Sequence, residues 1–194
     1  MATAIAEDDA RQRRLLDAGL TTFMRYGYRK ASMDEVARAA HLSRQAIYLH
    51  YPNKEALFRA VVRYAVEGSL ALATDATRDT GAAIEDQLVG AFDAWVGRYL
   101  DIVGDNITDL HEATAVLGGE LIAEFEERFV DLVTKLIRGS ALPAAYRGAG
   151  ITARQLAETL QATARGLKQS CASRAAFVER FRIAVRALCL PARG

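Results

Sequence analysis

Residues 32–51 read SMDEVARAAHLSRQAIYLHY, and this stretch decides the fold of the amino-terminal part of the chain. Ser32 followed by Glu35 is a capping box, in which each residue's side chain satisfies a backbone group of the other at a helix start. The helix that begins there is only two turns long, because a turn at 41–43 follows it. The serine that ends this turn can cap a second two-turn helix from Arg44. Two such short helices bury little surface alone, so we expect a helix-turn-helix corner packed against the longer helix before it.

The rest of the chain shows the same helical periodicity. Apolar residues recur at spacings of three and four, for example Leu16, Leu20 and Phe23, which is typical of helices that bury one face. Alternation with a period of two is absent, and Gly118-Gly119 and residues 139–150 mark breaks. The sequence therefore predicts an all-α chain of about nine helices without a sheet: 9–27, 33–40, 44–50, 54–76, 82–103, 106–117, 119–139, 152–171 and 174–189.

The composition excludes several classes of protein. Of 194 residues, 51% are apolar, and 25 basic side chains balance 24 acidic ones, which excludes a disordered chain. No run approaches the roughly 18 apolar residues of a membrane span, and the start of the chain lacks the apolar core of a secretory signal. The two cysteines, Cys171 and Cys189, cannot form a disulfide framework, so a cytoplasmic protein is expected.

Charge and helix geometry together predict DNA binding by the second short helix. Residues 1–64 carry 11 basic and 7 acidic side chains, a net charge of +4, whereas residues 65–194 carry 14 and 17, a net charge of −3. The major groove admits one helix, and with the isoleucine of that helix directed inward, Arg44, Gln45 and Tyr48 face outward. Arginine can bond guanine and glutamine can bond adenine. Phosphate contacts are expected from the tyrosine hydroxyl and at two helix starts, Ser32 and Lys54.

The alternative interpretation is that these side chains are the solvated face of a helical corner. The capped helix pair, the basic excess and the Pro-x-Lys-Glu sequence at 52–55 together favour DNA binding.

Four motifs in this segment are specific: LDA at 16–18, FMRYGY at 23–28, SMDEVA at 32–37 and AIYLHYPNKEAL at 46–57. Together they resemble the tetracycline-repressor-like (TetR/AcrR) family of bacterial regulators, over residues 15–62. The family usually has glycine in the turn where this chain has His41. A positive φ at that position would strain histidine more than glycine.

The resemblance implies a homodimeric regulator with two domains. A helix-turn-helix DNA-binding domain occupies residues 1–52, with 1–8 as a flexible tail, and a ligand-binding and dimerisation domain occupies residues 53–194. It implies a palindromic double-stranded operator, with Arg44 and Gln45 at base-reading positions. The phosphate-contacting positions are Ser32, Tyr48, Lys54 and His50.

The second domain contains the lone tryptophan within an aromatic stripe. Together with the family layout, this favours a pocket for a small, largely apolar effector, lined by Trp95, Tyr99, His111 and Phe125. An aromatic stripe at helical spacing is also typical of an ordinary core. Helix 152–171 is rich in small residues and could form a four-helix bundle with 174–189 across a twofold axis, or could pack only within the chain.

No catalytic residues, metal ligands or cofactor are predicted. The chain has no phosphate-binding loop, no nucleophile elbow and no Glu-x-x-His pairs for a helical di-iron site. We therefore expect a transcriptional regulator, a repressor that a ligand releases. The alternative is a helical small-molecule-binding or enzyme domain whose amino-terminal corner is only structural.

Overall fold

The computed structural model describes residues 2–79, 81–101 and 107–192, and within these ranges all regular structure is helical, which confirms the all-α fold. Three short 3₁₀ segments accompany the α-helices, at Gly97–Tyr99, Arg147–Ala149 and Leu190–Ala192. The described α-helices are α1 (Ala2–Lys30), α2 (Met33–Ala39), α3 (Arg44–His50), α4 (Lys54–Ala76), α5 (Ile84–Trp95), α6 (Ile107–Arg138), α7 (Leu142–Ala145), α8 (Ala153–Ser170) and α9 (Arg174–Cys189). None of these helices has both the length and the apolar character needed to cross a bilayer.

The predicted break at Gly118-Gly119 is wrong, because α6 runs through it as one helix. A β-carbon added at Gly118 would lie 3.3 Å from Cγ1 of Val62. The glycine therefore allows α4 to pack closely against α6, and it does not end α6. The predicted start of this helix at residue 106 lies outside the described residues.

Three other helices also differ from the predictions. Helix α1 begins at Ala2 and continues to Lys30, with an interruption at Gly27, whose φ is +77°. Helix α5 ends at Trp95, well before the predicted residue 103, which lies outside the described residues. Helix α7, a single turn with proline in its first positions, lies in the segment predicted as a loop. Proline suits that place because a helix's first N–H groups have no partner within the helix.

The described residues group into two compact units. The first lies within 1–66 and 102–122, so it includes the beginning of α6. Its core contains Phe23 and Phe58, whose rings meet edge to face with centroids 5.0 Å apart, and the fully buried Ile47 of α3. The predicted functional boundary after residue 52 stays a prediction.

The second unit lies within 67–101 and 123–194. Its core is built on four phenylalanines that are at most 1% exposed: Phe92, Phe129, Phe177 and Phe181. The ring centroids of Phe92 and Phe181 are 4.5 Å apart, so α5 and α9 are joined through aromatic contact. Burial of such rings is the main source of a helical core's stability.

Candidate DNA-binding interface

Helix α2 begins with the predicted capping box. The backbone N–H of Glu35 donates to the Ser32 hydroxyl over 3.2 Å, and the Ser32 N–H donates to the Glu35 carboxylate over 2.8 Å. The Ser32 hydroxyl also donates to that carboxylate, and these hydrogen bonds lower the pKa of Glu35. Ser32 is exposed. The start of α2 is therefore fixed while its serine stays accessible.

The turn after α2 contains the strained histidine that the sequence suggested. His41 has a φ of +55°, the one positive φ of a non-glycine residue among the described residues. The N–H of Leu42 donates to the carbonyl of Ala37 over 2.8 Å, and the N–H of His41 donates to the carbonyl of Arg38 over 3.1 Å. This pair of bonds is a Schellman motif, which requires a left-handed residue just after the helix. His41 occupies that position, so the expected strain is present.

Helix α3 presents one polar face to solvent. Ser43 caps it by accepting from the N–H of Ala46 over 3.1 Å. Ile47 is fully buried, whereas Arg44, Gln45 and Tyr48 are exposed. This is the orientation that the periodicity predicts. Contact of these side chains with bases or phosphates stays a prediction, as it does for the exposed His50 near the end of the helix.

The guanidinium of Arg44 has two neighbours on the corner. One nitrogen lies 3.1 Å from the carboxylate of Asp34, in the first turn of α2. Its central carbon lies 5.8 Å from the centroid of the Tyr48 ring. These contacts restrict where the guanidinium can point, although 70% of the Arg44 side chain stays exposed. The spacing of Asp34 and Arg44 along the sequence gave no signal of this pair.

Lys54 has a structural role that the sequence did not reveal. Its ammonium donates to the carbonyls of Tyr28 over 2.9 Å and of Arg29 and Ala31 over 3.2 Å. It also lies 4.6 Å from the centroid of the Tyr28 ring. An ammonium has three N–H groups, so these carbonyls use all of them. Lys54 thus ties the start of α4 to the segment after the Gly27 interruption, and its predicted phosphate contact stays a prediction.

The same segment is also held by the beginning of α6. The N–H of Arg29 donates to the carboxylate of Asp109 over 2.8 Å, and its guanidinium lies 3.3 Å from Asp109 and 2.9 Å from Glu112. These partners are 80 and 83 residues away along the chain. Sequence reasoning missed them, because such distant pairs leave no periodic pattern.

The four residues predicted to line a pocket do not all belong to the same unit. In the second unit, Trp95 stacks on Phe129 with centroids 4.8 Å apart, and Phe125 is buried beneath the guanidinium of Arg128. Tyr99 of the same unit is half-buried, with the Arg98 guanidinium 4.8 Å from its ring centroid. His111 is exposed and belongs to the first unit.

An open groove of about 760 Å³ lies elsewhere in the second unit, along α9. Its lining combines apolar residues with both basic and acidic ones: Ala175, Val178, Ile183, Arg174, Arg182, Arg186, Asp101 and Glu179. The four predicted pocket residues do not line it.

An all-helical chain with a capped helix-turn-helix corner, exposing an arginine and an amide on its second helix, has the features of a DNA-binding regulator. The sequence model for the family described as "Bacterial regulatory proteins, tetR family" matches residues 15–61. The HTH-type transcriptional repressor Rv1474c of Mycobacterium tuberculosis is 32% identical over 130 residues, covering 64% of this chain and 68% of that protein. The chain belongs to the tetR family of bacterial regulatory proteins. It is therefore a transcriptional regulator and not an enzyme.

Solved structures extend the likeness to most of the chain. The fatty acid degradation regulator FadR from Bacillus halodurans has a TM-score of 0.65 at 15% identity, covering 90% of this chain and 97% of that one. A TetR-like transcriptional regulator from Rhodococcus sp. RHA1 has a TM-score of 0.60 at 22% identity, covering 93% of each chain. At these identities the likeness shows the shared fold alone.

Proposed function

We propose that the chain is a cytoplasmic repressor that binds a palindromic operator as a homodimer and is released by a small, largely apolar effector. The observation that carries the DNA-binding part is the arrangement of α3. Ile47 anchors this helix in the core, while Arg44, Gln45 and Tyr48 are all exposed to solvent. In a dimer, two copies of this helix would enter successive major grooves about 34–36 Å apart.

We assign the base-reading role to Arg44 and Gln45, which are exposed at the amino-terminal end of α3. Arginine pairs bidentately with guanine and glutamine with adenine. Ser32, Tyr48 and His50 are the proposed phosphate contacts, since all three are exposed on the same corner. For Lys54 to contact a phosphate as well, its ammonium would have to give up hydrogen bonds to the backbone carbonyls that now accept from it.

For the homodimer we propose a face formed by α8 and α9. On α8, Ala162 and Gly166 are exposed, and a β-carbon added at Gly166 would meet no other atom within 4 Å. On α9, Ile183 is 63% exposed. Exposed small residues on one helix and an exposed apolar side chain on the next would allow helices of two copies to approach closely. Other small residues of α8, including Ala157 and Ala164, are buried within the chain, so both interpretations of this helix have support.

The effector site is proposed for the second unit, with Trp95, Tyr99 and Phe125 among its lining residues. The role of His111, which belongs to the first unit, stays a prediction. Two buried side-chain atoms of this unit, Oγ1 of Thr134 and Oε1 of Gln161, have no hydrogen-bond partner among the described residues. Buried polar atoms are normally paired, so these two atoms could bind polar groups of a ligand that reached them. If the effector favours a dimer with another groove spacing, ligand and DNA binding oppose each other, typically by about 1–3 kcal/mol.

The experiment begins with selection of bound duplexes from a random pool, followed by release with candidate effectors. Affinities of the selected and a scrambled duplex are then compared for the wild type and Arg44→Ala. We expect Arg44→Ala to lose about 1–3 kcal/mol on the selected duplex and much less on the scrambled one. Arg138→Ala is the matched control, because it removes an exposed arginine from the second unit. Equal losses of Arg44→Ala on both duplexes would contradict its reading role.

A further inference from the structure

The surface that carries the proposed base-reading residues also carries a carboxylate. Asp34 lies in the first turn of α2, and its Oδ2 atom is 3.1 Å from a guanidinium nitrogen of Arg44. Both side chains are exposed, Asp34 to 47% and Arg44 to 70%. A negative charge at this place is unexpected, because the phosphates of bound DNA repel it.

Stability of the fold does not account for Asp34. An exposed ion pair contributes only about 0–1 kcal/mol to folding. The start of α2 is already capped by Ser32 and Glu35, which satisfy each other's backbone groups. The carboxylate adds a favourable charge at the helix start, typically about 0.3–1 kcal/mol, but Glu35 supplies one there as well.

The contact with Arg44 offers a reason for a carboxylate at this position. A free arginine on a DNA-facing surface can bind any phosphate, which adds affinity without sequence preference. Here the carboxylate occupies one nitrogen of the guanidinium, and the Tyr48 ring lies 5.8 Å from its central carbon. The group keeps further N–H donors for a partner, since arginine has five. A guanine edge, with two acceptors side by side, matches two of those donors. A phosphate can also accept from two of them, so selectivity depends on how far the carboxylate restricts the direction of the guanidinium.

We propose that Asp34 is a specificity-determining positioning residue. It holds the Arg44 guanidinium ready for a base edge and away from phosphates, and thereby lowers non-specific affinity while raising sequence selectivity. The proposal rests on the proposed function, in which Arg44 reads bases.

The test uses the full-length protein and the variant Asp34→Asn, which keeps the side chain's shape and removes its charge. Affinities for the selected and scrambled duplexes are measured across a range of salt concentrations. We expect tighter binding of the scrambled duplex and a salt dependence steeper by about one phosphate contact. The ratio of the two affinities should fall by roughly tenfold. Asp34→Glu, which retains the carboxylate, should restore part of that ratio.

Asp75→Asn is the matched control. It removes an exposed carboxylate that is paired with Arg78 over 2.6 Å in the second unit, and it should leave the ratio unchanged. An unchanged ratio in Asp34→Asn would overturn the proposal, and so would an equal loss of ratio when Asp34→Asn is made in an Arg44→Ala background. If the wild type itself shows no selectivity, or Arg44→Ala retains it, the proposed function fails and this inference fails with it. If those two results are as expected, the Asp34 variants test the inference alone.

Discussion

Replacement of Lys54 by methionine tests whether this lysine supports the fold or binds DNA phosphates. Methionine keeps an unbranched apolar side chain of similar length and removes only the ammonium. The three carbonyls that now accept from the ammonium, those of Tyr28, Arg29 and Ala31, would lose their donor.

The expected loss of stability follows from the surroundings of these carbonyls. The Arg29 hydrogen bond is exposed, so water can replace the ammonium there at little cost. The hydrogen bonds to Tyr28 and Ala31 are partly buried, and each unsatisfied carbonyl costs about 1–1.5 kcal/mol. Loss of the cation–π contact with Tyr28 adds about 0.5 kcal/mol. We therefore expect the free energy of unfolding to fall by about 3 kcal/mol.

The assay is urea unfolding followed by circular dichroism, together with the salt dependence of duplex binding at a temperature where the variant stays folded. Lys30→Met is the control, because it removes an exposed lysine from the same segment. An unchanged free energy of unfolding, accompanied by a salt dependence weaker by about one phosphate contact, would refute the structural role of Lys54.

Two further predictions concern the capped corner. His41→Gly relieves a left-handed backbone that costs histidine about 1–2 kcal/mol, against a smaller entropic loss for glycine. We expect it to raise the free energy of unfolding by about 0.5–1 kcal/mol in urea titrations, and a decrease would show that the turn is not strained. The hydrogen bonds from Ser32 lower the pKa of Glu35 below its ordinary value of 4.5, so its stabilising effect is present above pH 4.5 and is lost as the pH falls through the lowered value. The melting temperature of the wild type should therefore fall relative to that of Glu35→Gln between pH 6 and pH 3, and parallel melting curves would contradict this.

The features that the sequence predicted well are local. Serine caps are defined within four residues, so the starts of α2 and α3 could be placed from Ser32 and Ser43 alone. The burial of Ile47 and the exposure of Gln45, which lies on the other side of the helix, follow from helical periodicity. The strain at His41 was raised only by the family resemblance, in which glycine usually occupies this turn, and the positive φ agrees with it.

The features that it missed depend on contacts between distant segments. Gly118 was expected to break a helix, but its missing side chain instead makes room for Val62. The hydrogen bonds from the Lys54 ammonium to carbonyls 23 to 26 residues earlier were not predicted, while its predicted phosphate contact is untested. Both features result from tertiary packing, which local helix propensity does not determine. The aromatic stripe that includes Trp95 was ambiguous for the same reason, since stacking on Phe129 is compatible with an ordinary core or a pocket wall.

The contacts between Arg29 and the start of α6 also have a consequence during protein synthesis. The first unit is discontinuous in sequence, because residues 102–122 belong with residues 1–66. The apolar face that includes Leu57 and Val61 is therefore incomplete until Ala113 and Leu117 have been added. At about 5–20 residues per second, the ribosome needs several seconds to extend the chain from residue 66 to residue 122. During that interval the apolar face of α4 in the first unit lacks the part of its core that α6 supplies.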